Sequence, residues 1–173
     1  MKALANPEVG QYLNSHFVSS FQKVGAFRIV DGRKQGGNVA SYFCTSDGQV
    51  LHVVAGPVNA AALLFEARWA VETWKLATLE HQDSSPALRA FFGKAHAERL
   101  KREHGVTGVD KPPVDLAEMV NQPQFQVLSR QARVHAILAN YPLIPIEQVY
   151  RVVFENILDE KVSTNPVEVA KAP

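Results

Sequence analysis

The residues most suggestive of chemistry lie in one short segment, NVASYFCTSDGQVLHVVAGPV, which covers residues 38–58. It contains the only cysteine of the chain, Cys44, and His52 follows eight positions later. A thiol beside an imidazole is the pairing of a cysteine nucleophile with its general base. The pair reacts only if the two side chains lie within hydrogen-bond reach, so the structure of this segment decides the question.

The segment itself predicts a β-hairpin. Two β-rich runs, Val39–Thr45 and Val50–Ala55, flank Asp47-Gly48, the strongest short hairpin dipeptide. Gly56-Pro57 then ends the second strand. The dipeptide favours a two-residue turn, and a four-residue loop is the alternative because it shifts the register by one residue.

The register decides the relation of Cys44 to His52. With the two-residue turn Cys44 faces Leu51 and Phe43 faces His52, so Cys44 and His52 lie on opposite faces. The longer loop would bring them to the same face. Because free cysteine is among the most buried residue types, we predict a buried and unreactive Cys44 rather than a nucleophile.

A second group of candidates lies in HAERLKREH, which holds His96, Glu98, Glu103 and His104. His96 and His104 are eight residues apart, or roughly 12 Å along a helix, which is too far for two ligands of one zinc ion. We therefore predict a solvated charged face and no metal site. The nearby cations are Lys94, Arg99, Lys101 and Arg102. Glu98 and Glu103 interrupt them, and no aromatic residues are interleaved, so we predict no nucleic-acid binding.

The remaining polar candidates have ordinary structural interpretations. Arg130, Arg133 and His135 lie on a predicted helix whose other face is apolar, so they indicate a polar face, with a core His135 bonded to the backbone as the alternative. DGRKQGGN lacks the spacing of a phosphate-binding loop and predicts a turn. Trp69 and Trp74 are five residues apart and point in different directions, which suggests one core residue and one covering residue.

The composition excludes several function classes. The chain has 173 residues, 46% of them hydrophobic, and a formal net charge of +1, so no global field draws it to nucleic acid or an anionic membrane. One cysteine permits neither an intrachain disulfide nor a thiolate zinc cage. No apolar run has the length of a signal peptide or a membrane span. We expect a cytoplasmic protein, and a fragment of a longer secreted protein remains the alternative.

Helix signals dominate the rest of the chain. Asn6-Pro7 and Asn59 start two helices, the second running to about residue 81. Ser85-Pro86 opens a third helix, which Gly105 closes. After the linker VTGVDKPPV come a short helix from Asp115 to about Asn121, a longer one over FQVLSRQARVHAILANY and a last one over PIEQVYRVVFENILDE. The stretch SSFQKVGAFRIV is strand-like.

The order helix, strand, glycine-rich loop, hairpin, long helix resembles the later part of a thioredoxin-like domain. PEVGQYLNSHFV is similar to the end of that family's first long helix, and ASYFCTSDGQVLHVVAGPV to its antiparallel strand pair. The resemblance covers roughly residues 6 to 80. It implies an α/β fold, with a truncated thioredoxin-like unit over residues 1–80 and an all-helical C-terminal extension over residues 81–173.

The departures from that family concern its redox apparatus. The family's first strand and CxxC motif have no counterpart here, and Gly36-Gly37-Asn38-Val39 stands where the family has a cis-proline. The redox activity therefore does not carry over, and we predict no catalytic residue, cofactor or metal ligand. We expect a non-catalytic protein that acts through protein interaction or self-association. The alternative is the C-terminal part of a thiol oxidoreductase whose redox motif lies outside this chain.

Self-association is expected on physical grounds. The family's first strand lies inside the sheet, so its loss would leave backbone groups unpaired. The predicted helices also offer more apolar surface than a small sheet covers, namely Leu88, Phe91, Phe92, Leu128, Ile137, Leu138, Val149, Val153 and Ile157. A homodimer or a protein partner would cover it. In the competing interpretation, the helices fold back within one chain.

Overall fold

The computed structural model describes residues 3–22, 28–30, 33–35, 38–82, 84–107 and 115–162, with the backbone alone for 28–30 and 33–35. The described chain is a mixed α/β fold dominated by helices. Its elements are α1 Pro7–His16, β1 Arg28–Val30, β2 Arg33–Gln35, β3 Ala40–Cys44, β4 Val50–Ala55, α2 Ala60–His81, α3 Ser85–His104, α4 Leu116–Asn121, α5 Pro123–Gln126, α6 Arg130–Asn140 and α7 Ile146–Val152. A 3₁₀ turn covers Ala3–Ala5, and a π-helical turn, Val153–Ile157, continues α7. No helix among the described residues is long and apolar enough to cross a membrane.

The predicted helix boundaries that rest on capping residues are confirmed. Asn6 accepts hydrogen bonds from the amides of Glu8 and Val9, and Asn59 accepts one from the amide of Ala62. These side chains satisfy amides that have no partner within the helix. Gly105 ends α3 in the left-handed conformation with φ 68°.

The hairpin is confirmed, but its turn differs from the prediction. The loop has three residues, 46–48, closed by the Thr45 amide bonded to the Gln49 carbonyl oxygen at 2.9 Å. Gly48 takes φ 81°, the conformation that closes a three-residue loop and is followed by a bulge. Phe43 therefore pairs with His52 as predicted, whereas Cys44 pairs with Val50 instead of Leu51.

Two other local predictions are wrong in part. Within the predicted turn DGRKQGGN, Arg33–Gln35 forms a strand that pairs antiparallel with Arg28–Val30. The helix predicted over FQVLSRQARVHAILANY is interrupted, because Ser129 accepts a hydrogen bond from the amide of Ala132 and starts a new helix there. Phe27, Gly36 and Gly37 lie outside the described residues.

The core is built around β4, whose six residues are all buried. This strand contacts α2 and α6, and α6 packs along α3. The apolar residues predicted to need cover are buried within the chain: Leu88, Phe92, Ile137, Leu138, Val149, Val153 and Ile157, with Phe91 and Leu128 partly buried. These faces are thus covered by the chain itself, as the competing interpretation expects, and they give no argument for a partner.

Candidate metal centre

Three histidines from three different elements converge in the core. His52 lies on β4, His96 on α3 and His135 on α6, and their side chains are exposed by 0, 1 and 0%. One ring nitrogen of each lies within 4.8 Å of one from each of the others. Imidazole nitrogens at such separations are a donor set for a transition-metal ion.

Each histidine is buried because it lies in an apolar segment that packs in the core. His52 is the third residue of the wholly buried strand VLHVVA. His96 continues the face of α3 that buries Leu88 and Phe92, at intervals of four residues. His135 lies within the run 134–138, all of which is buried. The energy of burying these apolar stretches holds the polar rings away from water.

The hydrogen bonds of His52 and His96 determine which nitrogen carries the proton. His52 Nε2 lies 2.8 Å from a carboxylate oxygen of Glu66, and His96 Nε2 lies 3.0 Å from the carbonyl oxygen of Leu51. Both partners only accept, so Nε2 is the donor in each ring. Each Nδ1 then has a lone pair and no proton, the form in which histidine binds a metal.

The third ring completes the arrangement. His135 Nδ1 lies 2.9 Å from His96 Nδ1. Since His96 Nδ1 has no proton, His135 Nδ1 must donate in this bond. His135 Nε2 and His52 Nδ1 are buried without a hydrogen-bond partner. Two unpaired buried nitrogens within one cluster are costly unless a ligand satisfies them.

A buried ion-pair network flanks the histidines. Arg99 is 2% exposed and binds both carboxylate oxygens of Glu66, at 2.7 and 3.1 Å, and both of Glu103, at 2.9 and 2.8 Å. Its guanidinium carbon lies 4.7 Å from the centre of the Trp69 ring. Arg102 also bonds Glu103, at 3.1 Å, so two guanidinium groups balance the two carboxylates of the network.

Burial sets the protonation of these groups. It lowers the pKa of His52, His96 and His135 below the ordinary value, so all three rings are neutral. For Glu66, burial raises the pKa, but hydrogen bonds from His52 and Arg99 outweigh it and lower the pKa to about 2. The centre therefore combines neutral imidazole donors with an ionised carboxylate.

The predicted candidates have mixed outcomes. The solvated face predicted for HAERLKREH is wrong for His96 and Arg99, which are buried, while Glu98 is 64% exposed. His135 is the core histidine of the alternative interpretation, although it bonds to His96 instead of the backbone. Arg133 is tied to backbone carbonyls of Gln126, Leu128 and Asn156.

The predicted thiol candidate is separate from this centre. Cys44 is half-buried and packs against the core cluster formed by β4 and the C-terminal helices. Burial raises the pKa of its thiol to about 11. His52 is hydrogen-bonded to Glu66 and does not activate the thiol.

The sequence analysis missed the convergence of His52, His96 and His135, but each had a local signal. A histidine at a core position of an otherwise apolar strand or helix face needs a buried partner. Three such positions in one chain indicate that the partners are one another. Their separations in sequence, 44 and 39 residues, carry no spacing motif.

Comparisons with protein-family models, curated proteins and solved structures each found no match.

Proposed function

We propose that this chain is a non-catalytic metal-binding protein whose centre, His52, His96 and His135, takes one divalent transition-metal ion. The observation that carries the proposal is the mutual approach of three neutral, buried imidazoles, two of which leave unpaired nitrogens in the cluster. Imidazole ligands suit Zn²⁺, and the closed-shell ion tolerates the geometry that the protein imposes. Zinc is therefore the ion we assign.

The geometry suits zinc after a small adjustment. A tetrahedral zinc ion with Zn–N bonds of about 2.05 Å holds its ligand nitrogens about 3.3 Å apart. His96 Nδ1 and His135 Nδ1 are 2.9 Å apart, and separations in the set of three reach no more than 4.8 Å. Rotations of the rings that change the distances between these nitrogens by no more than about 1.5 Å bring the set to the required geometry.

Outer partners already hold two of the rings in orientation. Metal-ligating histidines usually donate their second N–H to a carboxylate or a backbone carbonyl, which fixes the tautomer. Glu66 serves His52 in this way and the Leu51 carbonyl serves His96.

A structural role is proposed for this centre on the ground of access. Three histidines leave the fourth position of a tetrahedral zinc ion to water, as in catalytic sites, but catalysis also requires that this position be open to substrate. Two surface cavities, of about 520 and 350 Å³, are lined by other residues and do not reach the three rings. An ion at this depth would bridge β4, α3 and α6 and stabilise their packing.

The test is metal binding by the chelator-stripped protein, measured by calorimetry and by elemental analysis. We expect one zinc ion per chain, with affinity lowered more than about a hundredfold in His135→Asn. Glu66→Gln should cost about 10–100-fold, as is usual for an outer partner. The matched controls His16→Asn and His81→Asn alter histidines outside the cluster and should bind as the wild type does.

A second measurement identifies the type of ligand that holds the bound ion. Co²⁺ bound by nitrogen ligands in a tetrahedral site gives visible absorption bands, which report the coordination directly. The proposal fails if the wild type binds no zinc, or if His135→Asn binds with unchanged affinity and unchanged cobalt spectrum.

Self-association is a second candidate function, favoured by one exposed face of α2. Phe65, Leu76 and Leu79 lie on this face and are 56, 52 and 79% exposed. Arg68 and Glu72 lie between them, four residues apart. In an antiparallel pair of α2 helices with its two-fold axis near residue 70, Arg68 meets the second copy's Glu72 and Phe65 meets its Leu76.

Light scattering over a range of concentrations tests this candidate. We expect a mass of two chains at high concentration and a single 19.1 kDa chain for Leu76→Glu/Leu79→Glu. Lys101→Glu, which places the same charge on an exposed part of α3, should still dimerise. A wild type that stays at the mass of one chain rejects the candidate. The resemblance of residues 1–80 to a thioredoxin-like unit is a separate proposal, which light scattering does not test.

A further inference from the structure

A second group of donors overlaps the three-histidine centre and lies closer to the surface. Glu103, His104 and His135 each offer one ligand atom, and these atoms lie within 4.8 Å of one another. The side chain of Glu103 is 28% exposed, and His104 is half-buried. His135 belongs to both groups, so the two sets of donors meet at one fully buried ring.

The outer group adds one buried unpaired nitrogen, on His104, and shares a second, on His135, with the inner centre. His104 Nε2 and His135 Nε2 are both buried without a hydrogen-bond partner, and the two ring centres are 6.0 Å apart. The bond between His96 and His135 uses Nδ1 of His135. Its Nε2 therefore keeps a lone pair, and the opposite sides of one imidazole serve the two groups.

The electrostatics of the outer group also favour a cation. His104 is the last residue of α3, where the carbonyl ends of the helix carry a partial negative charge. Glu103 adds a carboxylate that is paired with Arg99 and Arg102. Its oxygens accept three hydrogen bonds, two from Arg99 and one from Arg102, and a carboxylate has about four lone-pair positions, so one stays available for an ion.

We propose that Glu103, His104 and His135 form an outer metal position through which an ion reaches the inner centre of His52, His96 and His135. The inference rests on the proposed function, because it describes how that centre is filled. The shared ring means that one ion occupies one position at a time. When the ion moves inward, it leaves His135 Nε2, which takes up a proton as Nδ1 loses its own, so the ring stays neutral and the inner set then holds the metal through Nδ1.

A residue on the path and a ligand of the final site have different kinetic signatures. By detailed balance, a residue that acts only on the path changes the loading and release rates by the same factor and leaves the dissociation constant unchanged. A ligand of the final site changes the dissociation constant, mainly through the release rate. His104 is therefore the position that separates the two roles.

The experiment is stopped-flow zinc loading and release, with a chromophoric chelator as the competitor, on the full chain. His104→Gln keeps a polar side chain and His104→Phe keeps the aromatic contact with His135, so at least one variant should retain the fold. We expect both rates to fall at least tenfold and the dissociation constant to stay within twofold of the wild type. His81→Asn, outside both groups, is the control and should load at the wild-type rate.

A companion variant isolates the outer position. His52→Asn removes a ligand of the inner centre only, and we expect weak, rapidly exchanging zinc binding that His104→Gln then abolishes. Loading of either His104 variant at the wild-type rate would overturn the inference, and so would a weakened dissociation constant with an unchanged loading rate. A wild type that binds no zinc would instead show that the proposed function itself is wrong.

Discussion

Cys44 and His52 lie on adjacent strands of one hairpin, but they have opposite surroundings. Cys44 packs against an apolar cluster, where burial raises the pKa of the thiol to about 11. His52 contacts Glu66, and its ring lies 5.7 Å from that of His96 and 5.3 Å from that of His135. The residue type with the greater intrinsic reactivity is thus the one whose burial opposes formation of the thiolate.

The surroundings of His52, called the histidine side below, contain buried charges, whereas those of Cys44, called the thiol side, are mainly apolar. The histidine side depends on Arg99, whose charge is shared by two carboxylates. The thiol side depends mainly on packing against the apolar cluster. A substitution that removes a charge should therefore act strongly on the first side and weakly on the second.

The largest effect is expected for Arg99→Met. It leaves the carboxylates of Glu66 and Glu103 in a mostly buried position without their cation, and breaking a buried pair in this way costs about 3–5 kcal/mol. Urea unfolding measures the loss. Arg102→Met is the matched control, because Arg102 is 68% exposed and its pair with Glu103 should contribute no more than about 1 kcal/mol. Equal losses in both variants would contradict a buried network.

The sequence predicts the local features of this fold better than the centre. Asn6, Asn59 and Gly105 act within one helical turn of themselves, so the residue and its effect appear together in the sequence. The three-residue loop at Gly48 was mispredicted because Asp-Gly suits more than one short turn. The meeting of His52, His96 and His135 depends on how α3 and α6 pack on β4, which no local pattern encodes.

The next largest effect is stabilisation by zinc, which should depend on the histidines and not on Cys44. An ion that binds only the folded chain adds about 2.7 kcal/mol to the free energy of unfolding at a hundredfold excess over its dissociation constant. Cys44→Ala should keep this gain, while His135→Asn should lose it at the same zinc concentration. A chelator should reverse the gain. Loss of the gain in Cys44→Ala would mean that the thiol contributes to the site.

The pH dependence of thiol labelling tests the apolar side. Because burial raises the pKa of Cys44 from about 9 to about 11, the thiol stays protonated to higher pH and its thiolate is about a hundredfold scarcer at pH 8. Labelling of the native chain should be correspondingly slow at pH 8 and should accelerate until about pH 11. In denaturant the rate should reach that of an ordinary cysteine. Fast native labelling at pH 8 would show that the thiol is exposed and activated.

The smallest effect on stability is expected at Gly48, in the turn that connects the strands of Cys44 and His52. Gly48 has φ 81°, and the nearest atom to an added Cβ is Ile146 Cγ2 at 3.9 Å, so Gly48→Ala meets no clash and tests backbone strain alone. An L-residue in this conformation costs about 1–2 kcal/mol. Gly10→Ala is the opposite case, because Gly10 lies within α1 with nothing within 4 Å of an added Cβ, and alanine should stabilise that helix by up to about 1 kcal/mol.

Thermal unfolding of the two glycine variants should therefore give shifts of opposite sign. The loop that requires Gly48 also produces the bulge that pairs Cys44 with Val50 and Phe43 with His52. A strained Gly48→Ala chain that keeps its zinc affinity and its slow labelling would show that packing in the core maintains this register. A chain that loses both together would show that the turn sets the register, and that the separation of thiol from imidazole depends on a single glycine.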